Sequence, residues 1–143
     1  MTHDHVVFAR ISDEPVGSGD CAKAVESDAA GAVVDFAGVV RNHDEGRDVR
    51  ALRYSAHPSA QAEIERLAAE VAAQFPQVTI AVVHRTGDLA IGDIALGCAV
   101  ASAHRGEAFA ACSLLVDTLK KNLPIWKRQV FADGTDEWVA ALG

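Results

Sequence analysis

From Pro58 to Phe75 the chain reads PSAQAEIERLAAEVAAQF, and within it Ile64, Leu67, Ala68, Val71 and Phe75 recur at spacings of three and four residues. That period places them on one stripe of an α-helix. Pro58 suits the opening of such a helix, because its φ is already fixed and its missing N–H would be unpaired there anyway. An apolar stripe must lie against another layer, so the flanking segments have to supply a sheet or a further helix.

Downstream, QVTIAVVHRTG alternates Val78, Ile80 and Val82 against Thr79, Ala81 and Val83, and GDIALGCAVASAH is a second apolar run. Both are expected to be strands, with GDLAIGD between them supplying turn residues. Upstream, HVVFARI, GAVVDFAGVV and VRALRYSAH read as strands, the second bounded by the polar loop RNHDEGRD. A second helix, RGEAFAACSLLVDTLKK, starts at Arg105 and is expected to bury Ala108, Phe109, Cys112, Leu115, Val116 and Leu119. Pro124 prevents its continuation. WKRQVFADG and DEWV then suit a closing hairpin. Strands mixed with two main helices, without strict alternation, imply the α+β class.

With 143 residues and no Pro-, Gly- or Ser-rich linker, one domain spanning 1–143 is expected. Hydrophobic residues make up 50% and charged residues 23%, enough for a packed core. A net charge of −7 and a pI near 5.2 argue against nucleic-acid binding, which needs a broad positive surface, but leave room for a small anionic ligand. The N-terminal MTHDHVVFARISDEP is acidic where a secretory signal would be basic, and no apolar run reaches membrane length, so a cytoplasmic location is expected. Cys21, Cys98 and Cys112 are widely spaced and form no C-x-x-C pair, which speaks against a disulfide framework or a zinc knuckle. No metal site is expected: His3 and His5 form an H-x-H pair, but at a chain terminus.

Against the acidic background, three polar spots end apolar elements: VVRNH, SAHRGE and KKNLPIWKR. Sites are commonly built at such ends. Arg105 and the free N–H groups of the helix it opens form an anion cradle, and His104 beside it can exchange a proton near neutral pH; the same pair would equally serve to cap and solvate that junction. Lys120 and Lys127 flank NLPIW, so a turn at Pro124 can bring both ammonium groups to one pocket, with Trp126 excluding water. Close cations disfavour one another's protonation, and one that stays charged stabilises an anionic intermediate. A solvated helix terminus would carry the same residues, and Lys121 and Arg128 fit that plainer role. Arg41 offers a planar fork for phosphate or carboxylate, while Asn42 and His43 read equally as turn formers. His57 and His84 have no obvious partner in the sequence, and the common nucleotide-loop, nucleophile-elbow and zinc-helix motifs are absent.

Taken in order, GAVVDFAGVVRNH, VVHRTGDLAIGD, VASAHRGEAF, LKKNLPIWKR and GTDEWV resemble the large, catalytic subunit of molybdopterin synthase, the MoaE family, over residues 28–139. The resemblance implies an α/β-hammerhead-like fold with a mixed or antiparallel sheet and two main helices. It implies sulfurtransferase activity in molybdenum cofactor biosynthesis, in which cyclic pyranopterin monophosphate receives two sulfur atoms and becomes the dithiolene of molybdopterin. It also implies a small ubiquitin-like partner whose Gly-Gly tail carries the sulfur as a thiocarboxylate, and a homodimer at the core of a heterotetramer. No cofactor is implied, since the sulfur arrives on the partner. By resemblance, Lys120 and Lys127 are catalytic. Arg41, His104 and Arg105 bind the pterin phosphate together with Lys120, Lys127 and backbone from Val39, Val40, Arg128 and Gln129. The competing reading is a non-catalytic anion- or pterin-binding module, whose charges would spread over an open surface rather than converge in a pocket.

Overall fold

The computed structural model describes residues 5–140. Its elements follow in the order β1 (Val6–Ser12), α1 (Asp20–Val25), β2 (Ala32–Val39), β3 (His43–Asp44), β4 (Arg47–Ala56), α2 (Ala60–Gln74), β5 (Thr79–Arg85), β6 (Gly87–Leu89), β7 (Ile94–Ser102), α3 (Arg105–Asn122), β8 (Ile125–Phe131) and β9 (Asp136–Ala140). They make two sheets. The first, in the order β1-β5-β7-β2, is mixed: β1 runs parallel to β5 and the other pairs are antiparallel. The second, in the order β3-β4-β8-β9 with β6 also on β4, is antiparallel throughout.

β5 and β7 occupy the centre of the first sheet and are covered on both faces. Ile80, Val82, Cys98 and Val100 join the main core with Ile64, Leu67 and Val71 of α2 and Leu115 and Leu119 of α3. Ala81, Val83, Ala99 and Ala101 point the other way, where Cys21 and Val25 of α1 close a smaller cluster. Two-sided burial explains why these segments read as nearly continuous apolar runs. All three cysteines are buried and unbridged.

The α+β class and the two long helices agree with the sequence reading, while four local features differ from it. α1 was not anticipated, because its six residues hold only two buried positions, too few for a periodic signal. The loop RNHDEGRD contains the two-residue hairpin joining β3 to β4, with positive φ at both Glu45 (49°) and Gly46 (78°). That pairing of signs matches the twist of the flanking strands, and only glycine adopts it without strain. The turn segment GDLAIGD opens with β6, whose Leu89 pairs with Leu52 of β4. Phe109 is 61% exposed rather than buried. The buried stripe of α3 runs through Ala108, Ala111, Cys112, Leu115 and Leu119, and Phe109 stands about 100° round the helix from Ala108. Val116 packs partly against the core. Among the described residues, no helix is long and apolar enough to cross a membrane.

Candidate active site

A cavity of about 270 Å³ opens where the end of β2 and the start of β7 meet the second sheet and the C-terminal end of α3. Three cations from three different elements line it: Arg41 just past β2, Lys120 in the last turn of α3 and Lys127 on β8. Alternation along β8 decides which of its residues face inward. Ile125, Gln129 and Phe131 are buried, Lys127 is half-buried on the same side, and Trp126 on the other side is exposed. Leu123 and Pro124 end α3 and turn the chain directly into β8, which brings Lys120 and Lys127 to one cavity although seven positions separate them.

One carboxylate stands among these cations. Asp44 on β3 accepts a hydrogen bond from Gln129 Nε2 at 2.8 Å and pairs with Arg41 at 3.2 Å. The Gln129 hydrogen bond first, and the charges of Lys127 and Arg41 after it, hold its carboxyl below the usual carboxylate range. Gln129 also donates to Glu137 Oε1 at 3.0 Å, so its amide nitrogen is fully engaged. Three cations against one carboxylate leave the cavity with a positive surplus, unlike the chain as a whole.

Apart from His43, the rest of the wall is mostly apolar or aromatic, with Phe36, Gly38, Val40, Leu52, Tyr54 and Leu96 contributing. His84 closes it from β5. Its ring is 0% exposed and meets Tyr54 edge-on, with centroids 5.1 Å apart and planes at 74°. Nδ1 lies 2.8 Å from the Arg85 carbonyl oxygen, and since a carbonyl only accepts, Nδ1 carries the proton. Burial pushes this histidine down to about 4, so it is neutral at physiological pH.

This predicts an acid sensitivity. The unfolded chain takes up a proton at this ring near its ordinary value of about 6.5, whereas the folded chain does so only near pH 4, so the stability it confers is complete above about pH 6.5 and drains away as pH falls towards 4. The loss amounts to roughly 3 kcal/mol. Denaturant titrations of the wild type and His84→Gln between pH 7 and pH 4 should show the wild type losing that much more, the carboxylates common to both proteins cancelling in the comparison.

The sequence-expected residues divide into two groups. Val39, Val40, Arg41, Lys120, Lys127 and Gln129 lie together around the cavity. Arg128 turns outward on β8, where its Nε donates to Asp136 at 2.6 Å. His104 and Arg105 are exposed at the opposite end of α3, with His104 in the N-cap position and making no side-chain cap hydrogen bond. Fifteen positions along the helix separate Arg105 from Lys120, a span of about 22 Å, so within one subunit His104 and Arg105 do not reach the cavity. Of the H-x-H pair, His3 lies outside the described residues, and His5 Nδ1 sits 3.2 Å from the Val78 carbonyl. Among the described residues no group of three His, Cys, Asp or Glu side chains is placed to hold a metal ion.

Sequence reasoning missed Asp44, Tyr54 and His84. His84 carried a signal: it shares the strand register of Ile80 and Val82, which marks it as facing the core. Asp44 carried none, because its position depends on the tight turn at Glu45 and Gly46. Volume alone would point elsewhere, to an open groove of about 810 Å³ between β1 and α2. Its cations are already satisfied, Arg66 by Glu63 at 2.7 Å and by Glu70, and Arg10 lies 4.2 Å above the Phe8 ring.

The family model described as MoaE protein matches residues 11–122, which include the segments that build most of this cavity. The chain belongs to the MoaE family. Among curated MoaE relatives, the molybdopterin synthase catalytic subunit of Nostoc sp. is 39% identical over 137 residues, covering 94% of this chain and 80% of that protein. A crystal structure of molybdopterin synthase from Staphylococcus aureus superposes with a TM-score of 0.85 at 32% identity, covering 93% of this chain and 96% of that one. A more distant fold neighbour, at 20% identity and a TM-score of 0.69, comes from a complex of subunits 1 and 2 of the molybdopterin-converting factor of Helicobacter pylori, covering 91% and 88% of the two chains. In this MoaE chain two of the three thiols are poorly suited to act as nucleophiles: burial pushes Cys21 up to about 11, and the adjoining Cys112 thiol, 3.9 Å away, together with burial holds Cys98 well above the ordinary thiol range.

Proposed function

We propose that this protein is the catalytic subunit of a molybdopterin synthase, transferring sulfur from the thiocarboxylated Gly-Gly tail of a small ubiquitin-like subunit to cyclic pyranopterin monophosphate. The observation that carries the reading is the convergence of Arg41, Lys120 and Lys127 on one partly apolar cavity of an otherwise acidic protein. A non-catalytic anion module with scattered surface charges does not account for that convergence. The substrate brings a phosphate, the partner's tail brings a thiocarboxylate, and displacement at the pterin creates further negative charge. A cavity taking all three needs several preorganised cations, which stabilise charge most strongly where water is excluded.

In this reading the partner's sulfur is the nucleophile. Lys120, on a helix end at the mouth, stands beside the incoming tail, and Lys127, better shielded on β8, offsets charge on the pterin as bonds to oxygen break. Arg41 grips the phosphate and exchanges its contact with Asp44 for one with the ligand. Backbone of Val39, Val40, Arg128 and Gln129 completes the wall. His104 and Arg105 enter the same scheme only across a homodimer: about 22 Å along α3 from Lys120 of their own cavity, they can serve the cavity of a second copy. The exposed Phe109 one turn along α3 gives that end of the helix an apolar group to bury in such a contact.

The test mixes the purified protein with a thiocarboxylated small subunit and cyclic pyranopterin monophosphate and assays dithiolene product, omitting each component in turn. Absence of product with every component present would refute the reading. Arg41→Ala is expected to raise KM about tenfold with a smaller fall in kcat, as befits a phosphate contact held equally in the ground and transition states. Steady-state kinetics with the pterin as varied substrate measure the split.

A further inference from the structure

His84 remains unused by this scheme, although it lines the cavity with the three cations. Its Nδ1 proton is committed to the Arg85 carbonyl at 2.8 Å, which fixes the tautomer and leaves Nε2 with an unprotonated lone pair. That nitrogen is buried and makes no hydrogen bond with any group among the described residues. A buried acceptor without a donor costs about 1–3 kcal/mol, so a folded chain keeps one where something else satisfies it. The surroundings say what that is. Arg41 and Lys120 are exposed, Lys127 is half-buried, and Tyr54, Leu96 and His84 are progressively deeper, at 8%, 3% and 0% exposure. The cavity thus joins an exposed cationic rim to aromatic and aliphatic walls, and among its buried polar atoms the His84 Nε2 is the one left without a partner.

We propose that His84 is a specificity residue whose Nε2 accepts a hydrogen bond from a ring N–H or exocyclic amine of a flat, anionic heterocycle bound with its phosphate at the cationic mouth. The inference rests on the pterin reading above and names the atom that distinguishes the heterocycle from any other aryl phosphate. Nε2 is sealed from bulk water, so binding must part the side chains that cover it. A site with a fixed, desolvated acceptor rejects ligands lacking the matching donor, because the acceptor then stays unpaired.

The experiment compares binding of a pterin monophosphate with that of phenyl phosphate, which has the anion and the ring but no N–H. Two variants lose the acceptor by different routes: His84→Leu removes both ring nitrogens, and His84→Asn keeps a donor for the Arg85 carbonyl while withdrawing the distal acceptor. His84→Gln reaches far enough to replace it. Calorimetric titration should show the Leu and Asn variants weakening pterin phosphate about tenfold, leaving phenyl phosphate within about twofold, and the Gln variant staying within about threefold of wild type. Thermal unfolding identifies any variant that does not fold, and the remaining one is read. Retention of the wild-type pterin preference in a folded Leu or Asn variant, or an equal loss for both ligands, overturns the role of His84. Wild-type protein without any preference for the pterin overturns the substrate reading itself.

Discussion

Lys120→Ala abolishes conversion of the pterin while the protein still folds. Lys120 is exposed in the last turn of α3 and makes no salt bridge or side-chain hydrogen bond among the described residues, so its truncation should shift unfolding by less than about 0.5 kcal/mol. Loss of one cation set beside a developing anion costs roughly a thousandfold in rate. Single-turnover assays with the thiocarboxylated partner at saturation, alongside denaturant titration, separate the two effects. A rate within a few-fold of wild type would remove Lys120 from the chemistry, and a collapsed unfolding transition would show that it acts through the fold. Lys120→Arg keeps the charge but spreads it over a planar fork on a longer chain, and should recover only part of the rate.

The second expectation concerns His104 and Arg105. Arg105→Ala alone and Lys120→Ala alone should each inactivate the enzyme, yet subunits of the two kinds, unfolded together and reassembled, should regain activity. In a two-fold symmetric dimer whose cavities borrow Arg105 from the opposite copy, each mixed pair has one intact cavity and one doubly damaged one. Half of the randomly assembled dimers are mixed, so about a quarter of wild-type activity returns. If Arg105 acted within its own subunit, by a rearrangement of α3, mixing would restore nothing. The recovered fraction is read from the activity of the reassembled sample against wild type carried through the same cycle.

Much of this was legible in the chain because the periods are clean. Ile64, Leu67, Ala68 and Val71 identify α2 by spacing, and the Val- and Ala-rich runs identify β5 and β7 by composition. Lys120 and Lys127 were readable as partners because Pro124 allows few routes between them. Other features depend on contacts that sequence does not encode locally. Asp44 reaches the cavity through a backbone sign at Glu45 and Gly46, and His84 acquires meaning only when Tyr54, 30 positions away, packs across it. Phe109 was misplaced because α3 also carries apolar residues on its outer side, Ala110 beside Phe109 itself, so apolar character alone does not orient it. The distance of Arg105 from Lys120 follows from the helix itself and needed only the observation that one uninterrupted helix joins them.

That uninterrupted helix has an evolutionary consequence. In the proposed dimer, α3 presents Arg105 to one cavity and Lys120 to another, so it behaves as a strut of fixed length and fixed phase. One residue inserted near Leu115 would rotate its two ends relative to each other by about 100° and lengthen it by about 1.5 Å, spoiling both cavities at once. Point substitutions along its outer face should be tolerated far more readily than any change in its length, and the same would hold for any enzyme that stretches one rod between two copies of its own machinery.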